Sequence, residues 1–256
     1  MFHFRFGGRH VFLSIALLAI LGSASGATAQ TQRTPSDVVR EFYKAMREHR
    51  FKEAWAMTIY KPAVEGLSAE EMEDLRPDFE EKAAQIPETV EIANEQINGN
   101  TATVFVKVPV SESTPQNTSQ PVNLINSGGA WIIGDEANQA IVKKAGRRFF
   151  LDALIAQHHS DMEDLLKRVI AVQLVYAQQH KTFGDLAALI GAGLLPKAAG
   201  DPKELGYNFH ITVGKDGKTY LAGAEPTSYG RTGKLSYWMD QTGTIKSVDN
   251  GGKPLS

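Results

Sequence analysis

The chain has 256 residues, with 27 basic and 29 acidic side chains, a formal net charge of −2 and no cysteine. That balance lacks the basic clustering with which a nucleic-acid binder neutralises phosphates. The missing cysteine excludes a disulfide framework and a lipoprotein anchor, so stability must come from apolar burial.

Arg5, Arg9 and His10 form a positive segment, residues 11–21 are an uncharged apolar run, and Ala27-Thr28-Ala29 offers small side chains at cleavage positions. This pattern predicts a secretory signal peptide over residues 1–29, cut between Ala29 and Gln30. The run falls short of the ~20 apolar residues that cross a bilayer, so no stable membrane insertion is expected after cleavage. An exported protein, periplasmic or secreted, is the expectation. About 227 residues then remain, enough for two domains. Residues 30–145 carry 12 basic against 18 acidic side chains and residues 146–256 carry 13 against 11. The asymmetry reads as solvated faces and names no partner.

The first predicted helix is capped by Thr34, has Pro35 in its first turn and Asp37 near its positive end. Val38, Val39, Phe42, Tyr43 and Met46 recur at spacings of three and four and make one apolar stripe. A short helical segment follows from Phe51 through Trp55 to Thr58. Ser68 and Glu71 form a capping-box pattern that opens a further helix, expected to bend near Pro77 and to end before Pro87. Beyond Pro87 the period becomes two: Val90, Ile92 and residues 101–108 read as strands about the Asn98-Gly99 turn signal. A polar loop over 111–120 follows, and residues 122–125 and 131–133 form a second hairpin about 126–129. Helices first and an antiparallel meander second give an α+β order.

The segment TPSDVVREFYKAMREHRFKEAWAM, followed by a meander closing on GGAWIIGDE, resembles the nuclear-transport-factor-two-like (SnoaL-like) α+β cone over residues 33–136. At Glu48-His49-Arg50 the chain departs from the Gly or Asn turn of many members. The resemblance implies helices on a curved antiparallel sheet with a cavity between them, lined by Phe42, Tyr43, Met46, Trp55, Phe105 and Trp131. Members include enzymes and binding or assembly domains. An isomerase or dehydratase of this shape needs an acid–base pair in the cavity, for which Tyr43 with a nearby carboxylate is the first candidate and Tyr60 and Asp37 follow. The plainer role for Tyr43, Trp55 and Trp131 is core packing, with the tyrosine hydroxyl hydrogen-bonded at a rim.

Residues 137–158 read as a linker helix with a bend at Gly146. Ser160 and Glu163 repeat the capping-box pattern and predict that a helix starts or restarts there; Met162, Leu165, Val169, Val172 and Tyr176 give it a broad stripe suited to covering a sheet. His158 and His159 point about 100° apart on a helix, and His180 and His210 lie in other elements, so no metal site and no cofactor are expected. A short helix within 183–196 precedes four strands, 207–213, 218–224, 234–240 and 244–248, with Asp216-Gly217 and Thr242-Gly243 at tight turns.

Residues 183–186, 192–196, 229–233 and 240–245 (FGDL, AGLLP, YGRTG and DQTGTI) make this half resemble the headpiece of type IV pilins and type II secretion pseudopilins. The resemblance implies a long helix packed on a four-stranded antiparallel sheet over 159–256. In pseudopilins that hold calcium in a C-terminal loop, Asp240, Asp249 and Asn250 would be the matching oxygens. The apolar stem of a filament subunit has no counterpart here. The expectation is therefore a two-domain exported protein of the cell envelope that binds an envelope protein or a small apolar ligand without catalysis. The cone serves as scaffold or pocket and the second module as interaction surface. The alternative is a cone enzyme using Tyr43.

Overall fold

A computed structural model of the chain describes residues 33–107 and 119–255. The residues expected to form a signal peptide, with the expected Ala29–Gln30 cleavage point, lie outside the described residues, as does most of the polar 111–120 loop. Helices and two antiparallel four-stranded sheets make the chain α+β, as the order of periodicities predicts. Two compact units result. One joins the residues up to Lys61 with Glu81–Lys143, and the other joins Pro62–Glu80 with Lys144–Ser256. The expected boundary at 137–158 assigned residues 62–80 to the first half, whereas their contacts group them with the second.

In the first unit α1 (Pro35–Arg47) has a complete capping box: Thr34 Oγ1 accepts from the Asp37 amide at 3.1 Å, and the Asp37 carboxylate accepts from the Thr34 amide at 3.3 Å. The helix ends where His49 takes a left-handed backbone, φ 56, the position usually left to Gly or Asn. Arg50 secures this turn, pairing with Glu41 and Glu53 from the flanking helices and with Glu48 of the turn itself. A short α2 (Phe51–Ala56) follows.

The first sheet is a meander of β1 (Ile92–Asn98), β2 (Thr101–Lys107), β3 (Ser119–Ser127) and β4 (Ala130–Ile133), in that spatial order. Its tight turns are Gly99–Asn100, one residue later than the Asn98-Gly99 signal suggests, and Gly128–Gly129, with φ 63 and 86. Val104, Val106, Ala102 and Leu124 alternate onto the face that α1 covers with Val38 and Val39. A parallel bridge from Thr58 to Ile133 ties the segment after α2 to β4. At Gly134, φ 130, a Cβ would stand 2.5 Å from Ile59, so that close approach requires glycine.

The second unit contains α3 (Lys61–Glu65), whose Lys61 lies at the boundary, and α4 (Ala69–Asp74), capped by Ser68 and Glu71 as expected. Next comes α5 (Arg76–Ala84), which runs across the boundary. The break at Leu75 falls two residues before Pro77, since proline is tolerated in a first helical turn but cannot donate in an interior. A further helix, α6 (Glu136–Ala145), also reaches the boundary and stops at Gly146, φ 54, where the bend is expected. After it α7 (Arg148–His180) runs unbroken for 33 residues. The expected restart at Ser160 is corrected: with no Gly or Pro from 148 to 180 the backbone ladder continues, and Ser160 stays on the exposed side.

Downstream, α8 (Leu186–Gly191), a 3₁₀ turn (Lys197–Gly200) and α9 (Pro202–Leu205) lead into the second sheet. It consists of β5 (Tyr207–Val213), β6 (Tyr220–Pro226), β7 (Leu235–Asp240) and β8 (Ile245–Asp249), again a sequential antiparallel meander. Met162, Leu166 and Val169 of α7 pack with Tyr207, Tyr220, Ala222, Tyr237 and Met239 into one core. Phe79 and Phe150 meet edge to face at 5.4 Å, bringing the 62–80 segment onto the first turns of α7.

Candidate functional site

On the covered face of the first sheet, Tyr43 and Trp131 are half-buried and join the apolar cluster of Val39, Val104 and Leu124. Burial alone raises the Tyr43 hydroxyl above the usual phenol range. Among the described residues no charged neighbour contributes to that shift. Glu95 is the nearest acidic residue by register to this face, opposite Val104, but its Oε2 accepts from the Ser36 amide at 2.7 Å and from the Ser36 hydroxyl, which fixes it at the start of α1. Asp37 is spent on its cap. Tyr60 is raised first by burial and then by the Asp135 charge, while Asp135 accepts from the backbone and side chain of Asn138.

The other candidates divide. Phe42, Met46 and Trp55 are at most 4% exposed, with Trp55 edge-on to Phe42 at 5.9 Å and to Tyr60 at 5.5 Å. They fill the fold instead of lining a surface open to ligand. Phe105 is a correction: it lies between Val104 and Val106, so the period of two turns it to the opposite face, beside Asn94 and Pro121 in the register. Sequence spacing alone carries that information.

The second unit concentrates its polar contacts at the loop joining β6 to β7, residues 227–234. Arg231 reaches Asp74 through two bonds, Nε to Oδ2 at 2.7 Å and Nη2 to Oδ1 at 3.0 Å, and Glu70 at 2.6 Å. Paired forks of this kind are geometrically specific as well as strong. Arg148 Nη1 donates to the Gly230 carbonyl at 3.0 Å, and Thr232 bonds Ser228 and Thr227 within the loop. Tyr229 donates to Asp249 at 2.8 Å, which raises its hydroxyl.

Two adjacent histidines of α7 complete the loop's support. His158 Nδ1 lies 2.7 Å from the Thr232 carbonyl, and His159 Nε2 receives the amides of Lys234 at 3.1 Å and Leu235 at 3.3 Å. A carbonyl only accepts and an amide only donates, so His158 carries its proton on Nδ1 and His159 presents a bare Nε2. Under them, Tyr207 donates to the Leu235 carbonyl at 2.9 Å, and burial raises both Tyr207 and Tyr237, the latter to about 12. Sequence reasoning weighed the histidines only as metal ligands. It missed Arg231 and Asp74 as partners because they are far apart in the chain, and it missed Gln173, a polar residue inside an apolar stripe. Gln173 is 1% exposed and clamps Gly184 from both sides, donating to its carbonyl at 2.7 Å and accepting from its amide at 2.9 Å.

The opposite face of the second sheet is exposed at His210, Leu221, Lys246 and Val248, while Trp238 is half-buried and Ser236 is covered. His210, Gly223, Trp238 and Lys246 form one row across its four strands, with the Lys246 ammonium 4.8 Å from the centre of the Trp238 ring. Leu221 and Val248 flank the row and are 47% and 46% exposed. The three oxygens considered for calcium do not converge: Asp240 caps its own turn through Thr242, while Asp249 and Asn250 lie at the other end of the β7–β8 hairpin, bonded to Tyr229, Ser236 and Lys253. Among the described residues no group of three or more His, Asp or Glu is placed to hold a metal, and no helix is long and apolar enough to cross a membrane. Comparison of the chain with family models, with curated proteins and with solved structures finds no match.

Proposed function

We propose that the chain is a non-catalytic binding or accessory protein, exported to the cell envelope. In this reading the SnoaL-like cone is a scaffold, and the pilin-like second fold presents the recognition surface to an envelope protein. The observation that carries it is the face of the second sheet turned away from α7, where exposed Leu221 and Val248 lie around a half-buried Trp238, beside Lys246 and His210. Aromatic and apolar side chains grouped on one open sheet face are what a protein partner buries. Support also comes from Tyr43, whose shift has burial as its only cause. The isomerase or dehydratase alternative pairs this tyrosine with a carboxylate, and Glu95, across from Val104, is held by Ser36 instead.

The test is photo-crosslinking from Leu221 and Val248 in cells, with exposed Lys197 as the control position. Discrete adducts from both face positions, lost with Trp238→Ala and absent from Lys197, are expected. Equal labelling at all three positions contradicts the reading.

A further inference from the structure

The two histidines grip the 227–234 loop with opposite hydrogen-bond polarity. His158 donates to the Thr232 carbonyl and can go on donating when its ring takes a second proton. His159 accepts from Lys234 and Leu235, and it can do so only while Nε2 holds a lone pair. A proton there sets an N–H against two N–H groups and leaves both amides without an acceptor.

We propose that His159 is an acid-sensitive latch: protonation of Nε2 releases the Lys234 and Leu235 amides and loosens the start of β7 from α7.

The surroundings of the ring are mixed. Glu163, one turn along α7, and Asp249 of β8 favour the charged form, while His158 and Lys234 oppose it. Tyr237 of β7 stands edge-on to the ring at 6.4 Å and bonds the His159 carbonyl at 3.3 Å through its hydroxyl. Desolvation outweighs these charges and holds His159 below the ordinary imidazole value. The sign follows: the latched state binds fewer protons than the released one, so the latch is complete above about pH 6.5 and weakens as pH falls below that value toward the latched-state pKa. The remaining ties of the loop, Arg231 to Asp74 and His158 to Thr232, do not depend on that lone pair, so release is confined to the start of β7. The latch stands independently of the proposed binding role.

Hydrogen exchange of the full chain, corrected for intrinsic rates, tests it. Between pH 7.5 and 5.5, protection of the Lys234 and Leu235 amides should fall by up to about tenfold, the linkage limit one unit below the free imidazole value. Protection in Tyr207–Val213 should hold. In His159→Gln, the side-chain carbonyl replaces Nε2 with an acceptor that does not titrate, and the response should vanish, whereas His158→Gln should keep it. Nitrogen shifts of the unmodified chain at pH 7.5 should place the His159 proton on Nδ1. Flat protection in the unmodified chain, an Nε2–H tautomer, or an unchanged response in His159→Gln overturns the latch. Should His159→Gln fail to fold, the tautomer and the unmodified profile decide.

Discussion

The two sheets share one plan, four antiparallel strands in sequential order with helical cover, yet they are held in different ways. In the first unit most side-chain bonds to helix ends and turns are local: Thr34 with Asp37, Arg50 with Glu48 and Glu53, Asp135 with Asn138. Ser36 with Glu95, and Arg47 with the Pro87 and Glu88 carbonyls, are the longer exceptions. In the second unit the bonds that matter cross great lengths of chain: Arg231 to Asp74, His158 to Thr232, His159 to Lys234. Local bonds are written in sequence spacing. Distant ones appear only when the chain is folded; Arg231 with Asp74, like Phe79 on Phe150, joins residues 62–80 to the unit that begins again at 144.

The sharpest way to break this comparison is at Phe79, 1% exposed and packed on Phe150. Phe79→Ala should cost about 3–5 kcal/mol, and chemical denaturation followed by exchange should assign the loss to the second unit. Next in size is Leu166→Ala, wholly buried in the second core, at about 2–5 kcal/mol with the first unit unaffected. Asp74→Ala leaves the Arg231 fork half-satisfied at a partly exposed site. A cost of about 1–3 kcal/mol is expected in denaturant melts, together with faster exchange in 227–234.

Gln173→Ala strips both bonds from Gly184 and should cost a similar 1–3 kcal/mol, localised by exchange to the turn after α7. The smallest effect is expected at Tyr43→Phe. With no charged group among the described residues acting on its hydroxyl, the change should lie within about 0.5 kcal/mol. A loss of several kcal/mol there would reveal an interaction of the hydroxyl that the cluster does not contain.

These contrasts also explain what was legible in the sequence. The capping boxes at Thr34 and Ser68, the period-two strands and the glycine-marked turns are local chemistry, and they locate two helix starts and both sheets, although β3 begins at Ser119, three residues before its expected start. His49 and Lys181 escape such reading because each takes a positive φ that its side chain does not favour. Ser160 misled it, since a capping-box pattern is compatible with a helix interior when nothing breaks the ladder. Phe105 was placed on the cavity side although alternation puts it on the other. The 62–80 segment was assigned by adjacency in the chain, and neither Phe79 nor Asp74 carries a local mark of its distant partner.

The claim that residues 62–80 and 144–255 unfold as one unit is tested most directly by hydrogen exchange of the intact chain carrying Phe79→Ala. Protection should fall together in 69–80 and throughout α7 and the second sheet, while 92–107 and 119–133 keep theirs. Loss confined to 69–107 and 119–133, with α7 and the second sheet unchanged, would contradict it.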